Sequence, residues 1–193
     1  GLLSTNNLLN TGSLKAVDKI YTSGVSFNNS GEILTTLLDI NNTGILNTNK
    51  ITVIDNARLN GSNVTNNGYI SGTNIEIITA GLTNTGTLAA DELIKANNTT
   101  INNTGYIGSN QKILLNGSNI SNQGSIESNI IELYNLSGYN IIVTSKKGNV
   151  EIVAVVLGEV TDAARTKLLT EEFQAIEAQL TIVKKAGSDM GEF

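Results

Sequence analysis

Asp39, Glu76 and Glu132 are the side chains of this chain best suited by type and phase to do chemistry, since each stands eight residues after the glycine of a recurring phrase. Carboxylates sharing one phase in adjacent turns of a repeat could converge at the separation glycoside hydrolysis needs, about 5–9.5 Å. These three do not occupy adjacent repeats, and Asp18, Asp55 and Asp91 fall at other phases. Arg58 is the only arginine of the repeats, and no lysine or arginine stands consistently beside the acids. The chain has no His and no Cys, which removes the commonest general base, the commonest metal ligand and all thiolate chemistry. It also lacks a Gly-x-x-x-x-Gly-Lys-Ser/Thr phosphate loop, a Gly-Gly-x-Gly-x-Asp calcium phrase and a regular Thr-x-Thr array. The expectation is a non-catalytic chain without cofactor or metal. A carbohydrate-active enzyme is the weakest alternative, and a clustered pair of surface carboxylates would revive it.

Tyr69 and Tyr106 offer a different chemistry. Each follows the glycine of its repeat by one residue, a phase that points outward, and they lie two repeats apart. Exposed aromatic rings on a polar face stack on sugar rings or fill a partner's pocket. They mark the candidate contact face, with ordinary surface tyrosine as the plain alternative.

A repeat must position these side chains. Its phrase is apolar-x-Asn-x-Gly-x-apolar, found as Leu8-x-Asn10-x-Gly12-x-Leu14, Phe27-x-Asn29-x-Gly31-x-Ile33, Ile40-x-Asn42-x-Gly44-x-Leu46 and Val64-x-Asn66-x-Gly68-x-Ile70. Further copies are Leu82-x-Asn84-x-Gly86-x-Leu88, Ile101-x-Asn103-x-Gly105-x-Ile107 and Ile120-x-Asn122-x-Gly124-x-Ile126. From glycine to glycine the steps are 19, 13, 24, 18, 19 and 19 residues. The two odd steps sum to 37, close to two regular ones, so one turn is expected to slide while the number of coils holds. A constant period of this size signals a solenoid.

Between the turns, pairs such as Ile51/Val53, Ile75/Ile77 and Ile113/Leu115 alternate with period two, the mark of short strands with one face buried. Asn-x-Gly supplies the turn, with Gly expected to take positive φ and Asn to tolerate it. The segment Leu59–Ile70 recurs almost unchanged as Leu115–Ile126, 56 residues or three coils later. Such regularity favours a coil stacked on itself over a sandwich or barrel. Seven or eight coils at one strand spacing each give a rod of roughly 35–40 Å. Asparagines at equivalent turns should bond up and down the stack, as in cross-β ladders. Asn-x-Ser/Thr sequons, for example at Asn28, Asn63 and Asn119, follow from this composition alone, with glycan attachment the rival reading of the Asn excess.

The repeats resemble the haemagglutinin-type repeats of two-partner secretion exoproteins, the group of filamentous haemagglutinin adhesins and contact-dependent growth inhibition exoproteins. The resemblance rests on the Asn-x-Gly-x-Ile/Leu phrase at a period near 19 and spans roughly residues 5–145. It implies a right-handed parallel β-helix, export to the surface of a Gram-negative-type bacterium, and an extended adhesive rod. Autotransporter passengers carry similar Asn- and Gly-rich coils. No toxin motif is present, so no growth-inhibiting activity is implied.

Composition divides the chain. All 28 asparagines lie between Asn6 and Asn149, and 14 of the 29 charged residues lie from Lys146 onward. This places a repeat array at 1–149, a final strand or connector at 150–160, a helix at 161–187 and a tail at 188–193. The helix shows an amphipathic seam of Leu169, Phe173, Ile176, Leu180 and Val183, with Thr161 or Asp162 as N-cap and Gly187 as terminator. It would cap the open end of the solenoid, serve assembly, or lead into a further domain.

The fold class expected is therefore all-β, a parallel β-helix with a C-terminal α-helical segment. A net charge of −5 argues against nucleic acid, and no apolar run is long enough for a membrane span. The chain opens on Gly1 with Leu2 and Leu3 reading as the tail of an earlier coil, as in a piece of something longer. The function expected is a stiff spacer and contact surface of a secreted or cell-surface adhesin. Its partners would be a protein or glycan receptor on another cell, neighbouring coils or domains of a parent chain, or further copies through the terminal helix. A self-assembling structural fibre is the alternative.

Overall fold

The computed structural model describes residues 2–4, 6–135, 139–147 and 150–159, and side chains over 6–97 and 100–134. Parallel strands stack on one another through most of that length. In chain order they are β1 (Leu2–Ser4), β2 (Asn7–Asn10), β3 (Ser13–Asn29), β4 (Glu32–Asn47), β5 (Lys50–Val53) and β6 (Asn56–Asn66). After these come β7 (Tyr69–Asn84), β8 (Thr87–Asn103), β9 (Tyr106–Ser109), β10 (Lys112–Asn122), β11 (Ser125–Glu127) and β12 (Ile130–Asn135). Several of these strands run on around corners, so one coil comprises three strand segments. The middle coil, for instance, is β5, then the two halves of β6, and the next coil is β7 alone.

Every pairing within the stack is parallel, β3 on β4, β4 on β5 and β6, β5 and β6 on β7, β7 on β8, β8 on β9 and β10. The result is an all-β parallel solenoid of about seven turns with about 19 residues per coil. Beyond it, β13 (Tyr139–Lys147) and β14 (Val150–Glu159) form an antiparallel hairpin. The expected helix at 161–187, with its seam of Leu169, Phe173, Ile176, Leu180 and Val183, lies outside the described residues. Among the described residues no helix is long and apolar enough to cross a membrane.

Three segments per coil give the rod three faces. The first face follows each Asn-x-Gly corner (for example 69–72, 87–90 and 106–109). The second continues from it (74–78, 93–97, 112–116), and the third leads back to the next corner (63–66, 81–84, 100–103). Alternation along each strand sends one set of side chains inward, so the core is a bundle of vertical columns. One column is Leu14, Ile33, Ile51, Ile70, Leu88, Ile107 and Ile126, and another is Leu8, Phe27, Ile45, Val64, Leu82, Ile101 and Ile120. From Phe27 to Ile107 these residues are almost fully buried, each contributing about 1.5–3 kcal/mol. β-branched side chains suit such columns because their χ1 is already restricted before they are packed.

The third repeat departs from expectation. Ile40 and Leu46 were the apolar positions its phrase implied, but the columns take Ile45 and Ile51 instead. Ile40 belongs to a second-face column with Thr22, Leu59, Ile77, Ala96 and Leu115, while Leu46 aligns outward with Asn28 and Thr65. No turn slides. Measured between stacked asparagines, the coils are 19, 18, 19, 18, 19 and 19 residues. It is the phrase at Asn42 and Gly44 that lies off the corner.

Candidate functional site

The corner after the third face carries a single file of amides. Asn10, Asn29, Asn47, Asn66, Asn84, Asn103 and Asn122 stand one above another, each Nδ2 donating to the Oδ1 of the next at 2.7–2.8 Å. From Asn29 onward each Nδ2 also donates to the carbonyl two residues ahead, as Asn66 does to Gly68 at 3.3 Å. Most reach a carbonyl of the next coil as well, as Asn66 does to Thr87 at 2.9 Å. All donors point the same way along the rod, so each bond polarises the next. Asn29, Asn47, Asn66, Asn84 and Asn103 are buried. An unpaired amide there would cost about 1–3 kcal/mol, and the ladder removes that cost without any partner outside the corner.

Asn42 is not a member of this file. It sits in β4 on another corner, accepts a 2.8 Å bond from the Thr22 Oγ1, and its buried Nδ2 finds no partner among the described residues. Asn47, which the repeated phrase passes over because Asn49 follows it where glycine is usual, holds the ladder position.

Glycine is needed at these corners for a reason other than the expected positive φ. Among the described glycines only Gly24 has φ above zero, at 159°, which is extended backbone. What the corner lacks is room. A Cβ on Gly31, Gly68, Gly86, Gly105 or Gly124 would stand 2.0–2.1 Å from the carbonyl oxygen of the residue stacked before it. That close approach follows from the bond each of those carbonyls accepts from the next coil, as Gly68 does from Thr87 at 2.8 Å. Gly44, away from the corner, has its nearest such atom at 3.9 Å.

The second face carries the acids singled out above, in company that phase counting did not reveal. Its outward column runs Tyr21, Asp39, Arg58, Glu76, Lys95, Leu114 and Glu132. Arg58 stands between Asp39 and Glu76 and reaches both, at 3.5 and 3.6 Å. Lys19 meets Asp39 at 2.9 Å, Lys95 meets Glu76 at 3.3 Å and Lys112 meets Glu132 at 2.9 Å. The expectation that no lysine or arginine stands consistently beside these acids is therefore overturned. Each of the three carboxylates faces a cation rather than a second carboxylate. Solvent screens side chains exposed to this degree, so each pair is worth about 0.2–1 kcal/mol at most.

The first face holds Tyr69 and Tyr106 in one outward column, Lys50, Tyr69, Thr87, Tyr106 and Ser125. Beside it runs a second outward column of shrinking side chains, Thr52, Ser71, Ala89 and Gly108. The small column makes the floor of an open groove of about 1100 Å³. The two tyrosines line it, as do Ile54, Asp91, Asn110 and Asn129 from the corner where the first face meets the second. The ring of Tyr106 lies down on that floor: its Cε1, Cζ and Oη come within 2.3–2.4 Å of where a Cβ on Gly108 would stand. Gly108 is the seat that lets the ring lie across the sheet.

Beyond the ring, the Tyr106 hydroxyl donates to Glu127 at 3.5 Å, and Glu127 also receives Ser125 Oγ at 2.6 Å. Partial burial, the Glu127 carboxylate and the hydrogen bond to it hold the Tyr106 phenol above its ordinary pKa of 10.0. The folded value is the higher one, so this contribution to stability is fully present below the unfolded pKa and is lost as pH rises through the folded one. In a tyrosinate absorbance titration, the difference between the chain and Tyr106→Phe should show a group ionising above 10.0, and Glu127→Gln should lower it. A difference curve centred at or below the ordinary value would mean that the ring does not lie against Glu127 in solution.

Comparison with protein-family models, curated proteins and solved structures finds no match to this chain.

Proposed function

We propose that this chain is a segment of a secreted or cell-surface adhesin of the two-partner secretion type, serving as a stiff, non-catalytic spacer and contact surface on a Gram-negative-type bacterium. A right-handed winding belongs to this reading. The observation that carries it is the asparagine ladder, an unbroken directional file of amides running the length of the parallel stack. Every coil is bonded to its neighbours by main chain and by side chain, so bending the rod means breaking several bonds at once. Such a body transmits position: it holds whatever lies at one end at a set distance from whatever anchors the other. The pairing of Asp39, Glu76 and Glu132 with cations supports a structural role for the acids. Partners on this reading are a receptor on another cell and neighbouring coils of a parent chain.

The test is labelling of intact cells of the source organism with an antibody raised against the chain. Surface label that disappears after mild protease treatment of unbroken cells is expected. Label that appears only after permeabilisation would overturn the proposal.

A further inference from the structure

The groove on the first face is a concave surface with polar side chains along its wall, where Asn110 Nδ2 donates to Asp91 at 3.5 Å and Asn129 Nδ2 to the Asn110 carbonyl at 2.5 Å. Its backbone is already committed, since β7, β8 and β9 bond to one another throughout it. A partner therefore cannot add to it as a strand and has to be read through side chains alone. Those side chains include two tyrosines, the hydroxyl of Ser71, the amides of Asn110 and Asn129, the carboxylates of Asp91 and Glu127, and the exposed apolar Ile54. Among the described residues that line it there is no Lys or Arg, and Lys50 stands one coil before Tyr69, outside the groove.

We propose that this groove binds an extended, uncharged oligosaccharide laid along the rod axis, with Tyr69 and Tyr106 as stacking platforms. The inference rests on the contact-surface reading above and names its ligand class. Tyr69 and Tyr106 are two coils apart, about 9.6 Å along the axis, close to the length of a disaccharide in an extended chain. Both rings are partly exposed, at 40% and 37%, so each combines a free apolar face with a polar edge, as sugar rings require. The floor of Ser71, Ala89 and Gly108 leaves space for a chain to bridge them. Asp91, Asn110 and Asn129 along the opposite wall supply acceptors and donors for sugar hydroxyls. Carboxylates with no cation among them repel uronates and sulfated sugars, which selects neutral chains.

One of the two platforms is held in place before any ligand arrives. Tyr106 is seated on Gly108 and held at its hydroxyl by Glu127, so little rotamer freedom is lost on binding.

The experiment is titration of the chain with cellohexaose, chitohexaose and mannohexaose, followed by intrinsic tyrosine fluorescence, which no tryptophan obscures. Hexagalacturonate and a heparin hexasaccharide serve as anionic comparators. At least one neutral hexasaccharide should bind, and both anionic ones should bind at least tenfold more weakly. Tyr69→Ala and Tyr106→Ala should each weaken binding about tenfold, as loss of a stacked aromatic anchor does. Ala89→Leu, an outward change that fills the floor and leaves both rings in place, should weaken it as well. Unchanged melting temperatures would show that all three variants fold.

Absence of binding by every neutral sugar, indifference to all three substitutions, or a preference for the anionic sugars would each overturn the proposal. So would tighter binding of hexalysine than of any sugar, which would point to a cationic protein partner. Loss of the groove activity with surface label intact would leave the spacer reading standing, whereas absence of surface label would sink that reading whatever the groove binds.

Discussion

Asn66→Asp should cost about 3–5 kcal/mol at neutral pH, the penalty for leaving a charge buried without a counter-charge. Asn66 is fully buried at the middle of the ladder. It accepts from Asn47, and its Nδ2 donates to Asn84, Gly68 and Thr87. A carboxylate keeps the acceptor but loses every donor, and it turns a charged oxygen toward the Oδ1 of Asn84. In a chain of this size the change should lower the melting temperature by about 10 °C. Burial raises the pKa of the introduced acid above its unfolded value. The neutral form is then the better tolerated one, so the deficit is smallest below the unfolded pKa and grows as pH rises through the folded one. Urea unfolding at neutral pH and near pH 4 should therefore show the gap to the native chain narrowing on acidification. Asn102→Asp, the same change on an exposed outward position, should stay within about 0.5 kcal/mol. Equal costs at the two positions would mean that the amide file adds nothing specific.

Gly86→Ala is expected to destabilise by about 2–3 kcal/mol, whereas Gly44→Ala should be neutral or slightly stabilising. Both glycines occupy the same place in the same repeated phrase. Their surroundings differ: the added methyl meets the Gly68 carbonyl oxygen at 2.0 Å in one case and nothing nearer than 3.9 Å in the other. The native chain bounds the cost, because Asn49 already fills one stack position. There the bond from Lys50 N to Gly31 O is 3.4 Å, against 2.7 and 2.8 Å at the corresponding steps from Glu32 and Tyr69. One coil step thus opens to admit a side chain, and Gly86→Ala would force a second opening, at the step from Gly68, with only the tight step between Asn49 and Gly68 separating the two. Thermal unfolding of the two variants side by side decides the matter. A larger loss at Gly44 would mean that the corner had been assigned to the wrong glycine.

Most of the architecture was legible because it repeats. A parallel solenoid needs only that apolar residues return with period two inside each strand and with period near 19 between coils, and both periods stand in the sequence. The stacked turn amides could be foreseen on the same ground, as could the shared column of Tyr69 and Tyr106. The third repeat misled because Ile40-x-Asn42-x-Gly44-x-Leu46 satisfies every local requirement of a corner. Its neighbours above and below are Gly24 and Asn60–Gly61 rather than other ladder asparagines. Once Gly44 is taken as an origin, Arg58 appears out of phase with the acids. Counted from Asn49 it falls nine residues on, as Lys95 does from Gly86 (58 − 49 and 95 − 86), and it lands between Asp39 and Glu76. The remaining offset of one residue comes from corner bulges such as that between Gly72 and Asn74.

What the sequence determined by itself was therefore the kind of object: a coil with apolar columns inside and amides at its corners. Those follow from composition and period, which act over a few residues. What only the tertiary structure decided was register. It chose Asn47 over Asn42 for the ladder and placed Arg58 between two acids. It also laid Tyr106 on Gly108 at the edge of a groove. The reason is that each of these contacts except the last joins residues 18 or 19 positions apart, and many local phrases are compatible with each coil. Only the stacking of one coil on the next, where an amide needs an amide beneath it and a carbonyl leaves no room for a Cβ, selects among them.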